Sequence, residues 1–380
     1  GNATTARLVD ISAANTTSTI NVSDAAATLT LTNNVRNSDP SHPNVVLTKA
    51  GGGTLEIGGA GGNTGTSLVA AAGTTLLNAT ARAVYEIRAL DTGATVRLAQ
   101  ANQVFNGDAI STTGNIRMTG GTLDLDGNAQ EISRLIGSDN ATAGTGTITS
   151  SSPATFTFGN NLAGRPSLFD GSITGDVAVV TRGTNPITLG GASSYTGTTT
   201  VGGSRLSVNG SLGNTAVTVT AGILGGTGSI AGTVAVQSGG TLAPGNSIGV
   251  LTEGATSFAL GATFAYEVDS TNLGSLGTAA DLLVVNGNLD IASGSLLSFA
   301  DLNQTPQAFV EDTTVFAMIN YTGTWNGGTF TYNSQPLADG SRFFVDGQMW
   351  EIDYDFAYNT ASPTTTQPLN DTADFLPVSG

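Results

Sequence analysis

Residues 217–251 read VTVTAGILGGTGSIAGTVAVQSGGTLAPGNSIGVL. Short runs of Val, Ile, Leu and Thr recur every few residues, and each closes on Gly, Asn or Ser. Alternation at period two sends one set of side chains inward and the other to water. On that parity Ile223, Ile230, Val234, Val236 and Leu242 point inward, with Thr, Ser and Gln outward. No segment carries a helical stripe long enough to form the crossover of a βαβ unit. The strands must therefore pair with neighbours reached by short turns. Strand and turn at near-constant spacing is the pattern of a solenoid in which each coil stacks on the last. The same texture holds from residue 187 to residue 290.

Composition bounds the answer independently. Only 11% of the 380 residues are charged, against ~25% in ordinary soluble domains. Together with 39% hydrophobic residues, this excludes a disordered chain of the highly charged type. Gly is abundant but has no period of three, which excludes collagen. Cys is absent, so neither disulfides nor thiolate metal sites exist. A solenoid does not need them, because its ladders and internal stacks form one long core.

Charge is unevenly placed. Residues 1–250 hold 13 acids and 11 bases, a net of −2, whereas residues 251–380 hold 15 acids and one base, Arg342, a net of −14. Nucleic acid requires a basic footprint, which this balance lacks. It suits a secreted protein kept soluble by self-repulsion, or one that recruits divalent cations at its acidic end. No run of ~20 apolar residues occurs, so no membrane span is expected. The chain opens at Gly1 with neither Met nor an apolar export segment. The expectation is a mature extracellular or cell-surface form from which a signal peptide has been removed, or an expressed segment.

LTKAGGGTLEIGGAGGNTGTSLVAAAGTTLL (47–77) resembles the autotransporter-associated β-strand repeat of bacterial proteins. That repeat runs Lys-x-Gly-x-Gly-Thr-Leu-x-Leu, then an Asn/Thr-Gly loop, then a strand ending in Gly-Thr-Leu. ITLGGASSYTGTTTVGGSRLSV (187–208) repeats it, and residues 96–127 do so loosely. GGTLAPGNSIGVL (239–251), followed by ATFAYEVD and DLLVVNGNLDI, resembles the distal part of autotransporter passenger domains. The resemblance implies a secreted parallel β-helix and no particular activity. No membrane β-barrel follows the repeats in this chain, a departure from that family.

The expected fold is all-β: a right-handed parallel β-helix (β-solenoid) with a C-terminal antiparallel β cap and an extended tail. Residues 1–46 read as opening coils or a capping hairpin, since terminal repeats must be atypical. Residues 47–295 hold the repeats, including AQEISRLIGS (129–138), which reads as another rung rather than a helical turn. Residues 296–358 form an aromatic, acidic region with both Trp residues. Residues 359–380 read as a Pro/Thr-rich tail.

Candidate site residues are few. His42, the only His, lies in a Pro-rich loop and is read as exposed rather than as a ligand or base. Asp124 and Asp126 sit two apart. A paired-carboxylate or Ca²⁺ site is one reading, and two solvated acids over inward Leu123 and Leu125 is the preferred one. The strand GQMWEIDYDF (347–356) places Trp350, Ile352 and Tyr354 on one face and Glu351, Asp353 and Asp355 on the other. The three acids form a candidate Ca²⁺ site, with a solvated face preferred. No other cofactor is expected. Phe375 and Leu376 in the tail, with Trp350, are the candidate assembly residues, the tail docking on an adjacent subunit.

A Ser-His-Asp triad would have to use His42, and no P-loop occurs. The first functional expectation is a non-catalytic structural protein, a β-solenoid assembling head to tail with copies of itself into a fibre, sheath or surface layer. The second is an autotransporter-like passenger or adhesin that binds a glycan or surface. The third is a polysaccharide-degrading β-helix enzyme using carboxylates.

Overall fold

The computed structural model describes residues 1–7, 9–11, 17–36, 45–60, 66–104, 114–139, 141–271, 279–303, 315–357 and 371–377. Every regular element among them is a strand, and the strands stack in parallel as a β-solenoid. The chain divides into two compact units, Gly1–Thr198 and Thr199–Gly380.

In the first unit one ladder runs through Ala3–Thr5, Thr28–Leu31, Thr54–Ile57, Gly73–Leu77, Ala94–Leu98, Asn115–Asp124, Thr145–Phe158 and Ser172–Thr181, parallel throughout. A second runs through Thr17–Asn21, Val45–Ala50, Thr66–Ala70, Glu86–Leu90, Asn115–Asp124 and Arg134–Ile136. Asn115–Asp124 serves both, because its register shifts between Thr119 and Thr122. Parallel pairing thus begins at Ala3, before the 47–295 span expected for the repeats. Residues 129–138 supply two short rungs, Gln130–Ile132 and Arg134–Ile136.

The second unit has three ladders per coil. The first comprises Thr199–Val201, Val217–Val219, Val234–Val236, Thr256–Phe258 and Leu289–Ile291. The second comprises Arg205–Val208, Ile223–Gly226, Thr241–Pro244, Thr263–Val268, Ser295–Asp301 and Phe330–Tyr332. The third comprises Ser211–Leu212, Ser229–Ile230, Val250–Glu253, Leu282–Val285 and Phe316–Tyr321. Parallel pairing therefore persists to residue 331, past the expected boundary at 295. Apart from isolated antiparallel bridges at Gly226–Gly245 and Val268–Ala280, the first antiparallel pair between consecutive strands is Gln335–Pro336 on Phe330–Tyr332.

The core is built of inward columns. Leu206, Leu224, Leu242, Phe264 and Leu297 are successive register partners. So are Val201, Val219, Val236, Phe258 and Ile291. Each such side chain contributes ~1.5–3 kcal/mol by leaving water. Ile230, Val234, Val236 and Leu242 are buried as expected, but Ile223 is 36% exposed and Leu224 is buried instead. Leu224 is in register with inward Leu242, so at period two Ile223 must face out. Corners demand Gly where backbones touch. Gly226 has φ of +112°, and a Cβ there would lie 2.2 Å from the Val208 carbonyl oxygen.

Toward the C-terminus the core turns aromatic. Phe258, Phe264 and Phe330 pack with ring centroids 5.3–5.8 Å apart. Trp350 closes on Phe299 at 5.0 Å and Phe316 at 5.7 Å. Arg342–Val345 pairs antiparallel with Gln348–Ala357. The 359–380 segment expected as a tail contains a strand, Asp371–Pro377. It lies between Phe316–Tyr321 and Gln348–Ala357 of the same chain, antiparallel to both.

Candidate functional site

One small cleft in the second unit, ≈ 70 Å³, is lined by Arg205, Asn246, Ser247, Glu267 and Asp281 among others. Arg205 is an outward residue of its strand, and its guanidinium lies across Gly225, where a Cβ would meet Nη2 at 2.6 Å. Nη2 donates to the Gly245 carbonyl at 2.6 Å, and Nε donates to Ser207 Oγ at 3.3 Å. Asp281 is buried. Its Oδ1 accepts the Gly249 amide at 3.0 Å and its Oδ2 accepts the Glu267 amide at 2.9 Å. Burial pushes its carboxyl up to about 8, aided by the Glu267 charge and opposed by the two amides and Arg205.

A buried carboxyl, a second carboxyl and a guanidinium in one cleft is the constellation expected of acid–base chemistry. Here, however, both Asp281 oxygens are taken up by backbone amides, and Arg205 by the Gly245 carbonyl and the Ser207 hydroxyl. The space matches a few water molecules rather than the ~300–1,000 Å³ of a small-molecule site. Chemically the cleft is a clamp that fixes the 245–249 turn against Thr263–Val268. Sequence reasoning missed it because its three charged members are scattered over two coils, with no spacing to mark them.

Two other ionisable groups act inside the scaffold. Lys49, the repeat's Lys, is buried and donates through Nζ to the carbonyls of Ala50, Gly51 and Ala72 at 3.0, 2.7 and 2.9 Å. Burial lowers its pKa. Arg134, also buried, donates through Nε and Nη2 to the Pro166 carbonyl at 3.1 and 3.0 Å. Burial, and then the nearby Arg165 and Arg117 charges, bring it down to about 10. It stays charged at neutral pH.

The residues singled out from sequence are placed as follows. His42 lies outside the described residues. Leu123 and Leu125 are buried beneath Asp124 and Asp126. Asp124 Oδ2 accepts Arg97 Nε at 2.8 Å, and its Oδ1 accepts the Asp126 amide at 3.0 Å. Asp126 has left the strand for a turn, with φ of +48°. Glu351 pairs with Arg342 across the antiparallel pair, Oε2 to Nε 2.8 Å. Asp353 shares its outward face, and the Asp355 side chain is outside the described residues. Among the described residues no group of three His, Cys, Asp or Glu stands close enough to hold a metal ion. Trp350, a candidate assembly residue, is fully buried. It fills the chain's own aromatic core because inward parity on Gln348–Ala357 aims it at Phe299 and Phe316. Phe375 is in register with Phe316 and Ile352, and Leu376 with Glu351. Their strand pairs within its own chain.

One outward row is unusually regular. Thr28, Thr54, Thr74, Thr95, Thr122, Thr147 and Ser172 are successive register partners, all half-buried. Hydroxyls thus recur at every rung, ~4.8 Å apart. Beside it, Glu56 accepts from Thr30 and Asn78, and Arg97 pairs with Asp124.

No protein-family model matches the chain, and no curated protein gives a significant match. Among the described residues no helix is long and apolar enough to cross a membrane.

Proposed function

We propose that the chain is a non-catalytic structural subunit, a secreted β-solenoid that joins copies of itself head to tail into an extracellular fibre, sheath or surface layer. The observation that carries this reading is the set of open strand edges. Ala3–Thr5 and Thr17–Asn21 each have a partner on one side only among the described residues. At the C-terminal sheet the edge strand Arg342–Val345 presents Phe344, 63% exposed. Such edges add strands from other chains unless blocked. An N-terminal edge meeting a C-terminal edge is a heterologous contact, which runs on rather than closing. The commitment of Lys49, Arg134, Arg205 and Asp281 to backbone groups supports a scaffold over a hydrolase or lyase. The low charge content and the resemblance to autotransporter-associated repeats support display outside the cell.

The threonine row favours a second reading, a passenger or adhesin that lays this face on a glycan or another surface. Light scattering and electron microscopy of the purified protein test the first. Polymers that lengthen with protein concentration are expected. A chain that stays monomeric at high concentration would refute self-assembly and leave surface binding as the better reading.

A further inference from the structure

Ala357, the last residue of Gln348–Ala357, is the register partner of Asp371, the first residue of Asp371–Pro377. The connection between them, residues 358–370, therefore starts and finishes one strand spacing apart. Two to five residues close such a gap in ordinary hairpins. This chain uses thirteen, including Pro363 and Pro368 and none of the Asn-Gly or Asp-Gly pairs that favour a tight hairpin. Extended, thirteen residues span up to ~45 Å.

The slot that Asp371–Pro377 fills has walls tied down independently of it. Phe316–Tyr321 is held on its other side by Leu282–Val285. Gln348–Ala357 is held by Arg342–Val345 and by Trp350 and Tyr354 buried beneath it. Tyr354 stacks on Trp325 at 5.2 Å, and its hydroxyl accepts the Phe330 amide at 2.9 Å. Without its occupant the slot would present two facing rows of backbone donors and acceptors, a template for any added strand. A second copy offers the same slot and the same strand.

We propose that Asp371–Pro377 is an exchangeable strand, which leaves its own slot and fills the equivalent slot of a second copy where copies are crowded together. The contact joins C-terminal sheets and does not depend on head-to-tail joining of the solenoid ends. The pairs made are identical within one chain and between two, so concentration and linker entropy decide between them. A short tether gives an effective concentration of about millimolar. The strand therefore stays at home in dilute solution and exchanges where neighbours reach comparable local concentration, as they do in a surface array.

The chain has no Cys, so introduced thiols report unambiguously. Asn320 and Thr372 are register partners, as are Glu351 and Leu376. Full-length Asn320→Cys and Thr372→Cys chains are mixed, unfolded in urea, refolded together at rising concentration and oxidised. A disulfide-linked pair containing one of each, in several-fold excess over dimers from either variant alone and growing with concentration, is the expected result. The doubly substituted chain should crosslink within itself when dilute. Glu351→Cys with Leu376→Cys repeats the test if the first pair disturbs folding. Internal crosslinking with no mixed pair at any concentration overturns exchange. So does the absence of crosslinking for both residue pairs, within or between chains. Polymers that form without a mixed pair overturn exchange but leave head-to-tail joining standing.

Discussion

Lys49 Nζ lies 2.9 Å from the carbonyl oxygen of Ala72, one coil further along the chain. The same ammonium donates to Ala50 and Gly51, so one buried cation satisfies carbonyls on two successive turns. This gives a physical reason for a Lys at the head of a Gly-rich strand repeat. The apolar stem crosses the core edge and the three donors meet three carbonyls of half-buried residues. Lys49→Met keeps the volume and removes the donors. Charge-assisted bonds of this kind are worth ~1.5–3 kcal/mol, and orphaned carbonyls add to the loss. Urea unfolding followed by circular dichroism should show a loss of about 2–3 kcal/mol.

The parity of the Ile223–Gly226 strand gives a sharper test of the fold. Ile223 and Leu224 are chemically alike and adjacent, yet one is 36% exposed and the other 0%. Leu224→Asp places a charge in the Leu206–Leu242 column with no partner and should prevent stable folding of the second unit. Ile223→Asp should change stability by no more than about 0.5 kcal/mol. Equal effects from the two substitutions would refute the register.

Much of this was legible in the sequence. Alternating Val, Leu and Thr runs closed by Gly specify parallel stacked strands with no helix. The alternation across Trp350, Glu351, Ile352, Asp353 and Tyr354 correctly sorts inward from outward residues. Ile223 was misassigned because ILGG offers two adjacent apolar residues, and parity is fixed only by the neighbouring coils. The clamp of Arg205, Glu267 and Asp281 leaves no local pattern, since Arg205 and Glu267 are joined only through stacking. The placement of Asp371–Pro377 escaped because a Pro/Thr-rich context hides a strand whose partners lie far back in the chain.

Phe344 tests the assembly proposal at the C-terminal edge. It is the largest side chain among the exposed apolar residues described, on a strand paired on one side only among the described residues. A charged residue on an edge strand is a common natural block to strand addition. Phe344→Lys should leave the circular dichroism spectrum and unfolding midpoint unchanged and shift the light-scattering mass toward the monomer. Polymers as long as those of the unsubstituted chain would place the joining surface elsewhere.

Glu253 gives the protein a pH dependence of definite sign. It is fully buried on Val250–Glu253, with Val285 as its register partner on one side. Its Oε2 accepts the Thr256 hydroxyl at 3.1 Å, while Oε1 has no hydrogen-bond partner among the described residues. Burial raises its pKa to about 8, the Thr256 bond opposing only in part. A carboxyl raised in the folded state binds its proton more tightly there than in the unfolded chain, whose value is ~4.3. Its stabilising contribution is therefore complete below about pH 4, declines as pH rises, and is lost by about pH 8. The raised carboxyl of Asp281 acts in the same direction. Unfolding free energies measured in urea at about pH 5 and about pH 9 should fall by several kcal/mol between the two. Glu253→Gln cannot ionise and keeps an acceptor for Thr256, so it should flatten this slope markedly. The part that survives in the variant belongs to Asp281 and to general repulsion at a net charge of −16. An unchanged slope in Glu253→Gln would mean that the carboxyl at 253 does not titrate between these limits.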